Sequence, residues 1–283
     1  MTTHAPAAAA GTVRIGDRSV HRMGFGAMRV TGRGIWGPPA DPEGARALLR
    51  RVVELGVNFI DTADSYGPEV SENLIAEALH PYPDDLIVAT KGGLVRPGPS
   101  RWTPDCRPER LKECCEASLR RLRTDCIDLY QLHTVDAKVP FTESLGALVE
   151  LREEGKVREI GLSNVTREHI ESAVKTVPIA SVQSRYGLGD LKSDPVVDHC
   201  EQAGIAFIPW YPLGDGSLTR PGGPLDAMAH AHQVTQAQVA LAWLLQRSPQ
   251  MLPIPGTSSV AHLEENVAAA ALRLTDEERE QLG

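Results

Sequence analysis

Eight short apolar runs, bounded by turn residues such as glycine, aspartate and proline, alternate with helix-periodic stretches along 283 residues. Such alternation is the pattern of repeated βαβ units. Eight units in a chain of this length predict a single α/β domain closed as a (β/α)8 TIM barrel rather than an open sheet. Glycine- and proline-rich stretches also follow the first, third and seventh runs, at 31–42, 92–108 and 212–224. In a barrel these loops lie on the C-terminal face, where active sites are built.

Residues 1–12 read as a disordered tail: they are small and apolar but lack the basic start and longer apolar segment of a secretory signal. The barrel proper is expected over 13–283, opening with a β-hairpin at 13–22 that caps one end. Strands are expected at 24–28, 58–61, 86–91, 127–133, 157–163, 179–183, 206–210 and 251–254, because these short β-rich runs are bounded by turn residues. Between them, Leu111, Cys115, Ser118, Leu119 and Leu122 keep helical spacing, as do Phe141, Leu145, Leu148 and Val149, and then Val260, Leu263 and Val267. Thr166 and Thr275 mark helix starts.

A formal charge of −8 with no basic block argues against nucleic acid and anionic membrane as partners. No apolar stretch reaches the ~18 residues of a membrane span. The cysteines, Cys106, Cys114, Cys115, Cys126 and Cys200, are odd in number and form no CxxC, which fits reduced thiols in the cytoplasm. His230 and His232 are two apart on an expected helix and so face different ways. With no HExxH and no Cys/His cluster, no metal is expected. No GxGxxG follows a strand, so a Rossmann domain is not supported.

The chemistry gathers at three strand ends. Asn58-Phe59-Ile60 stops at Asp61 with Tyr66 five residues on, 86–90 stops at Lys91, and 127–132 stops at His133. Parallel neighbours would bring acid, phenol, amine and imidazole together. A free phenol has a pKa near ~10; an adjacent ammonium lowers it, and a carboxylate such as Asp61 can hold that ammonium. His133 can donate to a carbonyl oxygen where negative charge develops. Singly, these residues read equally as a strand-end cap, a loop wedge, a surface lysine and a rim histidine. Together they form a set for reducing a carbonyl, with Tyr66 as the acid.

The segment from Phe59 to Gly67, together with Lys91 and His133, strongly resembles the aldo-keto reductase family, whose Asp, Tyr, Lys, His signature it carries. The resemblance runs on through Gly161-Leu162-Ser163-Asn164, Val182-Gln183, Ile254-Pro255-Gly256 and Glu265-Asn266, nearly the whole chain from Val13. It implies that Ser163, Asn164 and Gln183 bind a nicotinamide carboxamide and that Trp210 stacks on the ring. Leu213, Gly214 and Gly216 would lie over the pyrophosphate. Gly256, Thr257, Ser258, Ser259 and His262 would meet the 2′-phosphate, with Glu265 and Asn266 at the adenine. Gly256 and His262 replace a frequent Lys and Arg, lowering the charge there, so NADP(H) is expected with NAD(H) as the alternative.

Segments including Trp36-Gly37-Pro38-Pro39 and 242–249 are most similar to bacterial pyridoxal reductases within the family. Pyridoxal is thus the first carbonyl substrate expected. The chain stops soon after the last helix, so the walls are expected from other loops, with Met28, Trp36 and Trp102 as candidates. Two other readings use the same residues: a cofactor-sensing module like potassium-channel β subunits, and an alcohol or sugar dehydrogenase working oxidatively. The oligomeric state is left open.

Overall fold

A computed structural model describes residues 5–211, 222 and 225–282. It opens with a 3-10 turn at Pro6–Ala10, then β1 (Thr12–Ile15) and β2 (Arg18–His21) as an antiparallel hairpin. Next come β3 (Phe25–Gly26), α1 (Pro42–Glu54), β4 (Phe59–Asp61), α2 (Val70–Leu79) and β5 (Ile87–Gly92). A second hairpin, β6 (Leu94–Gly98) and β7 (Arg101–Pro104), precedes α3 (Pro108–Leu122), β8 (Ile127–Leu132) and α4 (Phe141–Glu153). The alternation continues with β9 (Val157–Ser163), α5 (Arg167–Ala173), β10 (Ile179–Arg185), α6 (Asp194–Ala203) and β11 (Ala206–Trp210). It ends with α7 (Asp226–His232), α8 (Gln236–Arg247), α9 (Val260–Ala268) and α10 (Asp276–Leu282).

Seven parallel strands run in the order β11-β10-β9-β8-β5-β4-β3. The eighth expected strand, 251–254, closes the circle with an isolated parallel bridge to β11, where Phe207 N–H also donates to Gln250 O at 2.8 Å, and with one bond on the other side. Leu252 N–H donates to Phe207 O at 2.8 Å on one side, and Gly24 N–H to Pro253 O at 2.9 Å on the other. Pro253 and Pro255 have no N–H to extend the pairing. The expected first strand is likewise short, because the chain turns into a 3-10 helix at Ala27–Val30.

Strand alternation sorts the core into two. Phe59, Ile87, Ala89, Leu129, Ala206 and Ile208 pack inside the barrel against Val13, Ile15 and Val20 of the first hairpin. Ile60, Val88, Tyr130, Leu132 and Val182 pack outward against the helices. The hairpin is pinned by Arg18, which donates to Asp128 Oδ1 at 2.6 Å and to the carbonyls of Asp84 and Leu86.

Two expectations differ from the structure. Residues 5–12, expected as disordered, are packed: Ala7 and Ala10 are buried, Ala7 N–H donates to Leu55 O, and Arg22 and Arg273 donate to the carbonyls of Ala10 and Ala9. Small side chains let this turn lie close, and the two guanidiniums satisfy its carbonyls. The stretch 92–108, expected as a loop, carries the β6–β7 hairpin.

Candidate functional site

The inward alternation that puts Phe59, Ile87, Ala89 and Leu129 in the core continues toward the C-terminal strand ends. There it delivers Asp61, Lys91, Gln131 and His133 to the barrel interior. Lys91 Nζ lies 2.6 Å from Asp61 Oδ2 and donates to Thr62 O at 2.9 Å, and both side chains are buried. Asp61 Oδ1 accepts from two amides, Gln131 Nε2 and Gln183 Nε2, each at 3.0 Å. Lys91 Nζ stands 5.2 Å from the centre of the Tyr66 ring, and the Tyr66 and His133 rings meet edge to face at 5.9 Å.

Burial acts to strip the Lys91 proton, but Asp61 and Tyr66 outweigh it and raise its pKa, so the ammonium persists. Burial also pushes the Tyr66 phenol above its usual range, and Lys91 only partly draws it back. The expected net lowering by Lys91 is therefore not what this environment produces, because loss of water is the larger effect. Burial, then Lys91, hold His133 well below the usual imidazole range and keep it neutral.

A cavity of about 520 Å3 opens above this set, within the usual size of small-molecule sites. Asp61, Tyr66, His133, Ser163, Asn164, Gln183, Trp210, Met28, Trp102 and Gly256 are on its wall. Asn164 Nδ2 donates to His133 O and Ser163 Oγ, while its Oδ1 accepts from Trp210 Nε1 at 3.0 Å. Asn164 has φ 56°, which asparagine tolerates better than most residues.

Trp36 is not on this wall; Ile35 is. Trp36 bridges to Gly67 and its ring faces the Arg96 guanidinium at 5.6 Å, so it buttresses the site from behind. Thr257, Ser258, Ser259, His262, Glu265 and Asn266 are also off the cavity wall. Ser259 caps α9 by accepting from His262 N–H, and Ser259 N–H donates to Thr257 Oγ1. Asn266 is nearly buried, and its side-chain amide has no partner among the described residues. Leu213, Gly214 and Gly216 lie outside the described residues.

Three contributors escaped the sequence reading. Gln131 could have been found, since it sits two positions before His133 on the same strand face. Arg96 gave no local signal. It is buried on β6, stacks on Trp102 at 3.7 Å, and donates to the carbonyls of Ser65, Gly34 and Arg101. That ties the Tyr66 loop to both wall loops. Arg29 stands on the cavity wall after β3.

All five cysteines are free, and burial raises the Cys114 and Cys115 thiols well up. Among the described residues no cluster could hold a metal ion, and no helix is long and apolar enough to cross a membrane.

The profile of the aldo/keto reductase family matches residues 22–282. The chain is 54% identical to an uncharacterised oxidoreductase of Schizosaccharomyces pombe, over 96% of this chain and 88% of that one. It is 43% identical to pyridoxine 4-dehydrogenase of Escherichia coli, over 94% and 95%. Among solved structures, glycerol dehydrogenase from Gluconobacter oxydans superposes with a TM-score of 0.87 at 26% identity, covering 96% and 94%. An aldo/keto reductase from Klebsiella pneumoniae in complex with NADP and acetate gives 0.81 at 30%, covering 96% and 93%. The chain belongs to the aldo/keto reductase family of oxidoreductases.

Proposed function

We propose that this protein reduces an aldehyde to the alcohol with NADPH, that Tyr66 delivers the proton, and that pyridoxal is a substrate. The observation that carries the reading is the buried Lys91–Asp61 pair, 2.6 Å apart, set beneath a cavity-lining phenol and a neutral imidazole.

The wall also fits the cofactor. Ser163, Asn164 and Gln183 offer hydroxyl and amide groups suited to a carboxamide, and Trp210 offers a flat face. Gly26 and Gly256 leave bare backbone at the rim: a Cβ on Gly256 would stand 2.5 Å from Gly26 O. When bound, the nicotinamide supplies the hydride. His133 then donates its N–H to the substrate oxygen without adding charge. Tyr66, kept protonated by burial, releases its proton to that oxygen as negative charge develops there. Lys91 stabilises the phenolate left behind, and Asp61 fixes Lys91 through a charged hydrogen bond. Run backwards, the same groups oxidise the alcohol.

Similarity to pyridoxine 4-dehydrogenase supports pyridoxal, the aldehyde of that alcohol, and Trp102 offers an aromatic wall to a flat ring. The test is NADPH absorbance with a panel of aldehydes. Higher kcat/KM for pyridoxal than for small aliphatic aldehydes is expected. Equal values would remove the substrate, and no turnover of any aldehyde would remove the reading.

A further inference from the structure

Two glycines face each other at the rim between the first and last barrel segments. A Cβ on Gly26 would meet Ile254 O at 2.7 Å, and one on Gly256 would meet Gly26 O at 2.5 Å. Backbone from the two segments therefore approaches so closely that residue 256 cannot carry a charged side chain there without moving the strand end. The space above Gly256 is instead flanked by Arg29, whose Cγ would lie 3.7 Å from that Cβ. Arg29 is exposed, lines the cavity, and makes no hydrogen bond or ion pair among the described residues. Arg96, by contrast, is fully engaged with backbone carbonyls and with Trp102.

Position around the barrel says which ligand group Arg29 faces. Ser163 ends β9 and Asn164 follows it, Gln183 lies on β10 and Trp210 on β11; the next segments round are 251–254 and β3. Arg29 thus continues the arc that begins with the amide-binding groups, whereas Trp102 and Leu94 belong to the hairpin after β5 on the other side. The same arc reaches the N-terminus of α9, a further positive end.

We propose that Arg29 binds a phosphate of the dinucleotide, supplying the cation that Gly256 cannot. The inference rests on the NADPH reading above. The shared chemistry is a charge-assisted guanidinium–phosphate contact, and the two sources are the 2′-phosphate and the pyrophosphate.

The test is direct dinucleotide binding, read by tryptophan and NADPH fluorescence, for wild type, Arg29→Gln and Arg29→Lys at two salt concentrations. Circular dichroism checks the fold. Arg29→Gln should weaken binding by about 10- to 100-fold, the range for a hydrogen bond to a charged group. Arg29→Lys should fall between, and the salt dependence should shrink in Arg29→Gln. Loss confined to NADPH assigns the 2′-phosphate; equal loss for NADPH and NADH assigns the pyrophosphate. Unchanged binding of both would overturn the inference while leaving the NADPH reading intact. Failure of wild type to bind either would overturn both.

Discussion

Replacing Lys91 by Met probes stability and chemistry together. The ammonium is fully buried and 5.2 Å from the Tyr66 ring centre. At an effective dielectric of about 20, its attraction for a phenolate at that separation is about 3 kcal/mol, or roughly 10²-fold in rate. The variant also leaves the Asp61 carboxylate buried with only Gln131 and Gln183 as side-chain donors. Breaking one side of such a pair costs about 3–5 kcal/mol of stability. Stopped-flow NADPH oxidation under single-turnover conditions would read the first effect and urea denaturation the second. Lys91→Met should be at least about 10²-fold slower, with its residual activity shifted in pH profile, because Tyr66 would lose the largest charge that opposes burial. A variant within threefold of wild type, with the same profile and midpoint, would refute the coupling of Lys91 to Tyr66.

Gln131→Leu removes one amide from Asp61 but also a buried carbonyl oxygen that has no partner. Stability should therefore change little while kcat falls about tenfold; a KM effect alone would place Gln131 outside the proton-transfer set. Trp102→Ala should lower kcat/KM for aromatic aldehydes more than for aliphatic ones, and Trp36→Ala should lower both alike, since Trp36 only buttresses. Asp64 is buried beside Glu72, and its carboxyl is pushed up to about 7 from an ordinary 3.8. The folded state thus holds a proton that the unfolded state releases, and stability falls as pH rises from about 4 to about 7. That slope amounts to about 4 kcal/mol at most. Denaturation midpoints of Asp64→Asn should lack this part of the slope, and an unaltered slope would contradict it.

Much of this site was legible because it obeys the period of two. An apolar run ending in Asp, Lys or His at an inward register must deliver that residue to the barrel interior, and Asp61, Lys91 and His133 follow that rule. Gln131 obeys it too but, being uncharged, drew no attention. Trp36 and Trp102 look alike in sequence, yet only Trp102 reaches the cavity. Arg96 faces both rings and donates to the carbonyls of Gly34, Ser65 and Arg101, and no local pattern encodes such a meeting. The charge missing at Gly256 has the same origin: the close approach of two segments more than two hundred residues apart excludes a side chain there.

Tyr66 supplies the proton in this scheme, while other side chains bind the cofactor. The direct measurement is Tyr66→Phe: NADPH affinity by fluorescence alongside single-turnover oxidation of NADPH by an aldehyde that wild type reduces. Tyr66→Phe should keep near wild-type affinity with a rate lower by about 10²–10⁴-fold, the usual worth of general acid catalysis. A variant that keeps more than about a tenth of the rate would contradict it.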